Sequence, residues 1–159
     1  MKTIFASWRI ELIERKKEKG CFFCKYLAEN EKNDEKNYII KRGKHAFIIL
    51  NAFPYSNGHI MIAPISHKAN LEDLTIDEIL EIFEFKSQSI KALKDSMNPD
   101  GFNIGVNLGL IAGAGVPDHI HWHIVPRWSG DHNFMPILAD TRVIPEALEK
   151  TYKKLKNKI

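Results

Sequence analysis

The run His119-Ile120-His121-Trp122-His123-Ile124-Val125-Pro126-Arg127 constrains this chain more than any other stretch. Side chains along a strand alternate between its two faces. An extended backbone here sets His119, His121 and His123 on one face and Ile120, Trp122 and Ile124 on the other. Any fold the chain adopts must bury the second face in a core and find partners for three imidazoles on the first. Each ring carries two nitrogens that need a donor or an acceptor, and each titrates near neutral pH. A row so costly to build points to chemistry, either a metal site or a nucleophile with supporting acid–base groups.

The rest of the chain supplies that core. With 159 residues, 44% hydrophobic and 27% charged, it has the size and balance of one globular domain. A net charge of +3 suits an anionic small molecule and offers no argument for nucleic acid. Apolar runs such as Ala46 to Leu50 are too short to span a bilayer. Met1 to Arg9 lacks the long apolar region of a signal peptide. The expected setting is the cytoplasm, with no membrane partner. In a reducing compartment the pair Cys21-Phe22-Phe23-Cys24 reads as half a zinc site or a redox motif. The charged, helix-like segment upstream favours zinc, which requires two further ligands.

Periodicity predicts a charged helix over Ser7 to Lys19, ended by Gly20. Strands are expected at Asn37–Lys41, His45–Leu50, His59–Ile65, Phe102–Leu108 and His119–Pro126. A turn at Arg42-Gly43-Lys44 and the Asn57-Gly58 turn separate the first three. Thr75 and Glu78 form a capping box that opens a long helix. Its apolar stripe reads as Ile76, Ile79, Leu80 and Phe83, continued by Ile90 and Leu93. Pro145 opens a last helix with Leu148, Tyr152 and Leu155 inward. Neighbouring strands with one long helix between the third and fourth predict an α+β fold built on a mostly antiparallel sheet.

Two chemistries compete for the histidine row. His-x-His on a strand is a partial zinc site, with His123 or His132 as a third ligand, which would make a metal-dependent phosphoesterase. Yet the glycine-rich loop Ala112-Gly113-Ala114-Gly115 lies just before the row, and such loops converge backbone N–H groups on phosphate. Arg127 offers a planar fork for the same anion. Asn51 and His59 flank a turn expected near this face. Phe47 and Ile49 are candidates for the floor of a base pocket, and Tyr55 and Trp128 for stacking or an interface.

These elements together resemble the histidine triad (HIT) family of nucleotide hydrolases and transferases. The resemblance rests on Cys21-Phe22-Phe23-Cys24, Asn51-Ala52-Phe53-Pro54-Tyr55, Asn57-Gly58-His59, Ala63-Pro64-Ile65-Ser66-His67, Gly101 to Asn107 and His119-Ile120-His121-Trp122-His123. It spans Trp8 to Phe134. Trp8-Arg9 and Val125 to Phe134 look most like the diadenosine-tetraphosphate phosphorylase-like branch. The resemblance implies a single domain over residues 1–159. Residues 1–36 would hold the N-terminal helix and the Cys pair, 37–134 the core, and 144–157 the C-terminal helix. It also implies a five-stranded antiparallel half-barrel, a homodimer, and a purine nucleotide or dinucleoside polyphosphate as substrate. His121 would be the nucleophile and His123 the group over the phosphate. Asn107 would contact phosphate or leaving group, Asn51 the ribose, and His59 would support the triad. Backbone N–H groups of Gly113, Ala114, Gly115 and Val116 would bind phosphates. Cys21, Cys24, His67 and His119 would hold structural zinc, and no organic cofactor is expected. A nucleotide-binding regulatory module with incidental turnover is the alternative from another class. One departure stands out: the loop from Gly113 to Asp118 lacks the hydroxyl residue that many members place there.

Overall fold

The computed structural model describes residues 20–131 and 144–159. The helix expected over 7–19, and His132, lie outside the described residues. Within them the chain forms α1 (Phe22–Ala28), β1 (Ile39–Arg42), β2 (Ala46–Leu50), β3 (Ile60–Pro64), α2 (Ile76–Met97), β4 (Gly101–Val106), β5 (Trp122–Arg127) and α3 (Leu148–Lys156). The five strands make one open antiparallel sheet in the order β1-β2-β3-β5-β4. None of the described helices is long and apolar enough to cross a membrane.

Alternation builds two cores from one sheet. Ile40, Ile48, Leu50, Ile60, Ile62 and Ile124 face α2 and α3, where Ile82, Phe85, Leu93, Tyr152 and Leu155 meet them. Ile39, Phe47, Ile49, Met61 and Ala63 face the other way and pack on Phe23 of α1. Met61 pairs with His123, so the histidines belong to this second face. α1 covers it, and the sequence did not announce α1: seven residues, with Cys21 as N-cap and Cys24 inside, are too short for a helical period to show.

Strand ends shifted for local reasons. β1 starts two residues later than expected because Tyr38 sits at φ 57°, outside any strand conformation. β5 starts at Trp122 rather than His119. Its partner β3 ends on Pro64, which has no N–H to extend the ladder. The His119–His121 segment is held otherwise: the Ile120 N–H donates to the Lys68 carbonyl at 2.7 Å. α3 starts at Leu148, three residues after Pro145, with Tyr152 and Leu155 inward as expected. At the Asn57-Gly58 turn, Gly58 has φ +73° and backs onto Leu93, where a Cβ would lie 2.9 Å from Leu93 Cδ2.

α2 corrects a sequence expectation. Its capping box is present, with the Thr75 side chain accepting from the Glu78 N–H and Glu78 accepting from the Thr75 N–H. The first two turns of its expected inward stripe face out: Ile76, Ile79, Leu80 and Phe83 are 71%, 45%, 58% and 65% exposed, whereas Ile90 and Leu93 pack on the core as expected. The buried face is Glu78, Ile82, Phe85, Ser89, Ala92 and Leu93. Two glutamates decide the roll. Glu81 accepts from the backbone N–H groups of Lys44, His45 and Ala46, tying the helix to the start of β2. Glu78 also takes Lys68 Nζ at 2.7 Å and the Ser66 hydroxyl. Hydropathy treats such residues as outward, so the stripe they displace reads as core.

Candidate active site and metal centre

The structure divides the histidine row between two sites. His119 is fully buried and turns toward α1. Its Nε2 is 2.9 Å from the Pro64 carbonyl, which can only accept, so this nitrogen carries the proton. The bare Nδ1 then faces Cys21 Sγ at 3.2 Å, Cys24 Sγ at 3.6 Å and His67 Nδ1 at 3.3 Å. Cys24 Sγ lies 3.3 Å from His67 Nδ1. These four donors gather within 4.8 Å of one another. Tetrahedral zinc with Zn–S of ~2.3 Å and Zn–N of ~2.0 Å separates its ligands by about 3.3–3.8 Å. Donor type, number and spacing therefore fit a closed zinc site, with the Pro64 carbonyl fixing the His119 tautomer. Burial, then the neighbouring Cys21, raises the Cys24 thiol pKa, so ion binding must displace a proton there. His121 and His123 are not part of this group, which disfavours a hydrolytic metal held by the whole row.

His121 is buried against Phe23, whose ring centroid lies 5.2 Å from both His119 and His121. The His121 Nδ1 sits 2.8 Å from the His119 carbonyl oxygen and must donate to it. That leaves Nε2 with its lone pair, the form a nucleophile needs. Burial pushes its pKa down, partly offset by the bond to the carbonyl. Phe23 is the site residue that sequence reasoning passed over; its only signal was its place inside the Cys pair.

His123 and His59 form the second arm. Their rings are 5.1 Å apart, with His59 Nε2 2.9 Å from His123 Nδ1. Burial, with a smaller contribution from His121, holds the His123 pKa down to about 4. Its Nε2 is buried and has no hydrogen-bond partner among the described residues. Tyr55 tilts over both rings, 4.8 Å from His59 and 6.0 Å from His123, and is 49% exposed at the mouth of the site. Asn51 is also here: its Nδ2 is 3.2 Å from His59 Nδ1 and its Oδ1 accepts from the Phe53 N–H at 2.9 Å.

The glycine-rich loop reaches Asn107, whose Nδ2 donates to the Gly113 carbonyl at 3.4 Å. The N–H groups of Gly113 and Ala114 are spent inside the loop, on Leu110 and Gly109 carbonyls, so Gly115 and Val116 are better placed to meet an anion. Arg127 is drawn away from the triad by Asp131 at 2.6 Å and Asn103 at 2.6 Å. Phe47 and Ile49 are sealed beneath α1, which removes them as a base-pocket floor. Trp128 Nε1 donates to the Met97 carbonyl at the end of α2.

A histidine row with one ring buried on a carbonyl, another paired with a fourth histidine, and a Cys/His cluster beside them defines a recognisable class. The HIT domain family model matches residues 31–130, and the chain belongs to that family. An AP-4-A phosphorylase of Mycobacterium tuberculosis is 42% identical over 119 residues, 75% of this chain and 61% of that protein. The chain thus spans about three-fifths of that relative's length. The bis(5'-adenosyl)-triphosphatase of Saccharomyces cerevisiae is 29% identical over 111 residues, 69% of this chain and 50% of that one. Among solved structures, a Zn-bound histidine triad family protein from Mycobacterium smegmatis superposes with a TM-score of 0.68. It is 27% identical, with 87% of this chain and 91% of that one covered.

Proposed function

We propose that this chain is a nucleotidyl hydrolase or transferase that cleaves dinucleoside polyphosphates at the α-phosphorus through His121. The observation that carries the reading is the His121 tautomer, with Nδ1–H tied to the His119 carbonyl and the Nε2 lone pair left for attack. In the first step a His121 Nε2–P bond forms and the bond from phosphorus to the leaving oxygen breaks. The leaving phosphate departs with the electron pair. The resulting cationic nucleotidyl-imidazole keeps its Nδ1–H on the carbonyl, which stabilises it. Water, which gives up its proton to solvent, or inorganic phosphate then attacks phosphorus; the Nε2–P bond breaks and its electron pair returns to Nε2. His123 stabilises charge on the phosphate oxygens, and Asn107 with the Gly115 and Val116 N–H groups holds the chain of phosphates. Asn51 stands where the ribose hydroxyls would reach it. The relatives named for diadenosine polyphosphate cleavage support this substrate class.

Zinc on Cys21, Cys24, His67 and His119 would supply structural cross-linking rather than reaction chemistry. The free thiols of both cysteines suit a reducing compartment, the cytoplasm. A homodimer would cover the exposed stripe of α2. Product analysis with diadenosine tetraphosphate tests the activity. ADP plus ATP formed only with inorganic phosphate identifies a phosphorylase, and AMP plus ATP without it a hydrolase. The His121→Ala variant should lose turnover and keep nucleotide binding; near-normal turnover in it overturns the reading.

A further inference from the structure

We infer that Tyr55 and Asn51 act through His59 to lock His123 as a neutral imidazole with its proton on Nε2, a fixed hydrogen-bond donor that does not transfer protons. The inference rests on the site reading above and gives His123 its protonation state. The chain of reasoning begins at two backbone N–H groups, which can only donate. The Phe53 N–H meets one end of the Asn51 amide at 2.9 Å, so that end is Oδ1 and the other is the donor Nδ2. The Tyr55 N–H meets His59 Nδ1 at 3.1 Å, and Asn51 Nδ2 meets the same atom at 3.2 Å. A nitrogen facing two donors is the unprotonated one. The His59 proton therefore sits on Nε2 and is donated to His123 Nδ1 at 2.9 Å.

His123 Nδ1 is thereby an acceptor, and the neutral ring keeps its proton on Nε2. That is the atom left buried and unpartnered among the described residues, on a ring whose centroid lies 4.9 Å from that of His121. A second proton on His123 would oppose two N–H groups across 2.9 Å. His59 has no way to turn its own proton inward, because Tyr55 and Asn51 occupy Nδ1. The low pKa of His123 agrees with this lock. A neutral imidazole is a very weak acid, so it gives a hydrogen bond to a phosphate oxygen without losing its proton. A buried donor aimed at developing charge is worth about 10²–10³ in kcat. Asn51 and His59 are positioning residues in this scheme.

Nitrogen-15 NMR of the histidine rings in the whole protein at pH 7 tests the lock without substrate. The expected spectrum shows His59 and His123 as single Nε2–H tautomers and His121 as Nδ1–H. A cationic His123, or one protonated on Nδ1, overturns the inference while leaving nucleophilic attack by His121 intact. Two variants extend the test. In His59→Gln the amide can still donate to His123 Nδ1, so the His123 tautomer and kcat within about tenfold should survive. In His59→Phe the donor is gone; the His123 signal should become a tautomer mixture and kcat fall by about 10². Equal kcat loss in both variants with an unchanged His123 spectrum counts against the lock. The His121→Ala experiment fails or succeeds independently of these spectra.

Discussion

His123 shows how burial turns a residue's chemistry into a stability signature. The unfolded chain binds a proton there below about pH 6.5, while the folded chain resists until about pH 4. Between those values the unfolded state holds more protons, so this residue's contribution to stability falls as pH drops from 6.5 to 4. Denaturant unfolding at pH 7, 5.5 and 4.5 should show wild type losing stability more steeply than His123→Asn. Parallel slopes would contradict the burial account. The residue types of this site were legible in the chain, because a period of two places three histidines on one face. Their division of labour was not. Which ring meets a carbonyl, a thiol or another ring depends on Pro64, Cys21 and His59, distant in sequence from the row.

At the scale of elements, α1 and α2 are each held by contacts that tie them to the site. Glu78 caps α2 and also grips Ser66 and Lys68, the two neighbours of His67. These partners, opposing the cost of its burial, hold its pKa down to about 2. Gly43 lets α2 approach the sheet: a Cβ there would lie 2.6 Å from Phe85 Cζ and 2.7 Å from Glu81 Oε1. Gly43→Ala should cost about 1–3 kcal/mol through this overpacking, read by urea unfolding. α1 is anchored by Phe23 in the core, with the Cys/His cluster beside it. Purified protein should carry one zinc per chain by elemental analysis, lost in Cys21→Ser. Chelation should lower the melting temperature by about 5 °C or more, near 2 kcal/mol for a domain this size. Metal-free wild-type protein would refute the zinc site.

For the whole molecule, the question is what covers the outer stripe of α2. Ile76, Ile79, Leu80 and Phe83 are exposed together, and Ile104 of the edge strand β4 is exposed as well. Fully burying one such side chain is worth about 1.5–3 kcal/mol, enough in sum to drive self-association. Leu80→Glu should convert a dimer to a monomer in light-scattering mass measurements; a monomeric wild type would rule the dimer out. Among the described residues the outer edge of β4 has no neighbouring strand, and sheets rarely leave such an edge without a cover.

The sequence by itself determined the α+β class, the five strands, the capped long helix and the histidines and cysteines that meet at the candidate sites. Those features follow from local periods, turn residues and caps, which act over a few positions. Only the tertiary structure decided the roll of α2, the short helix over the site and the separation of His119 from its two neighbours. It also decided the donor chain from Tyr55 to His123. Each of these depends on a buried polar atom finding a partner far along the chain, and hydropathy cannot register a partner that folding brings near.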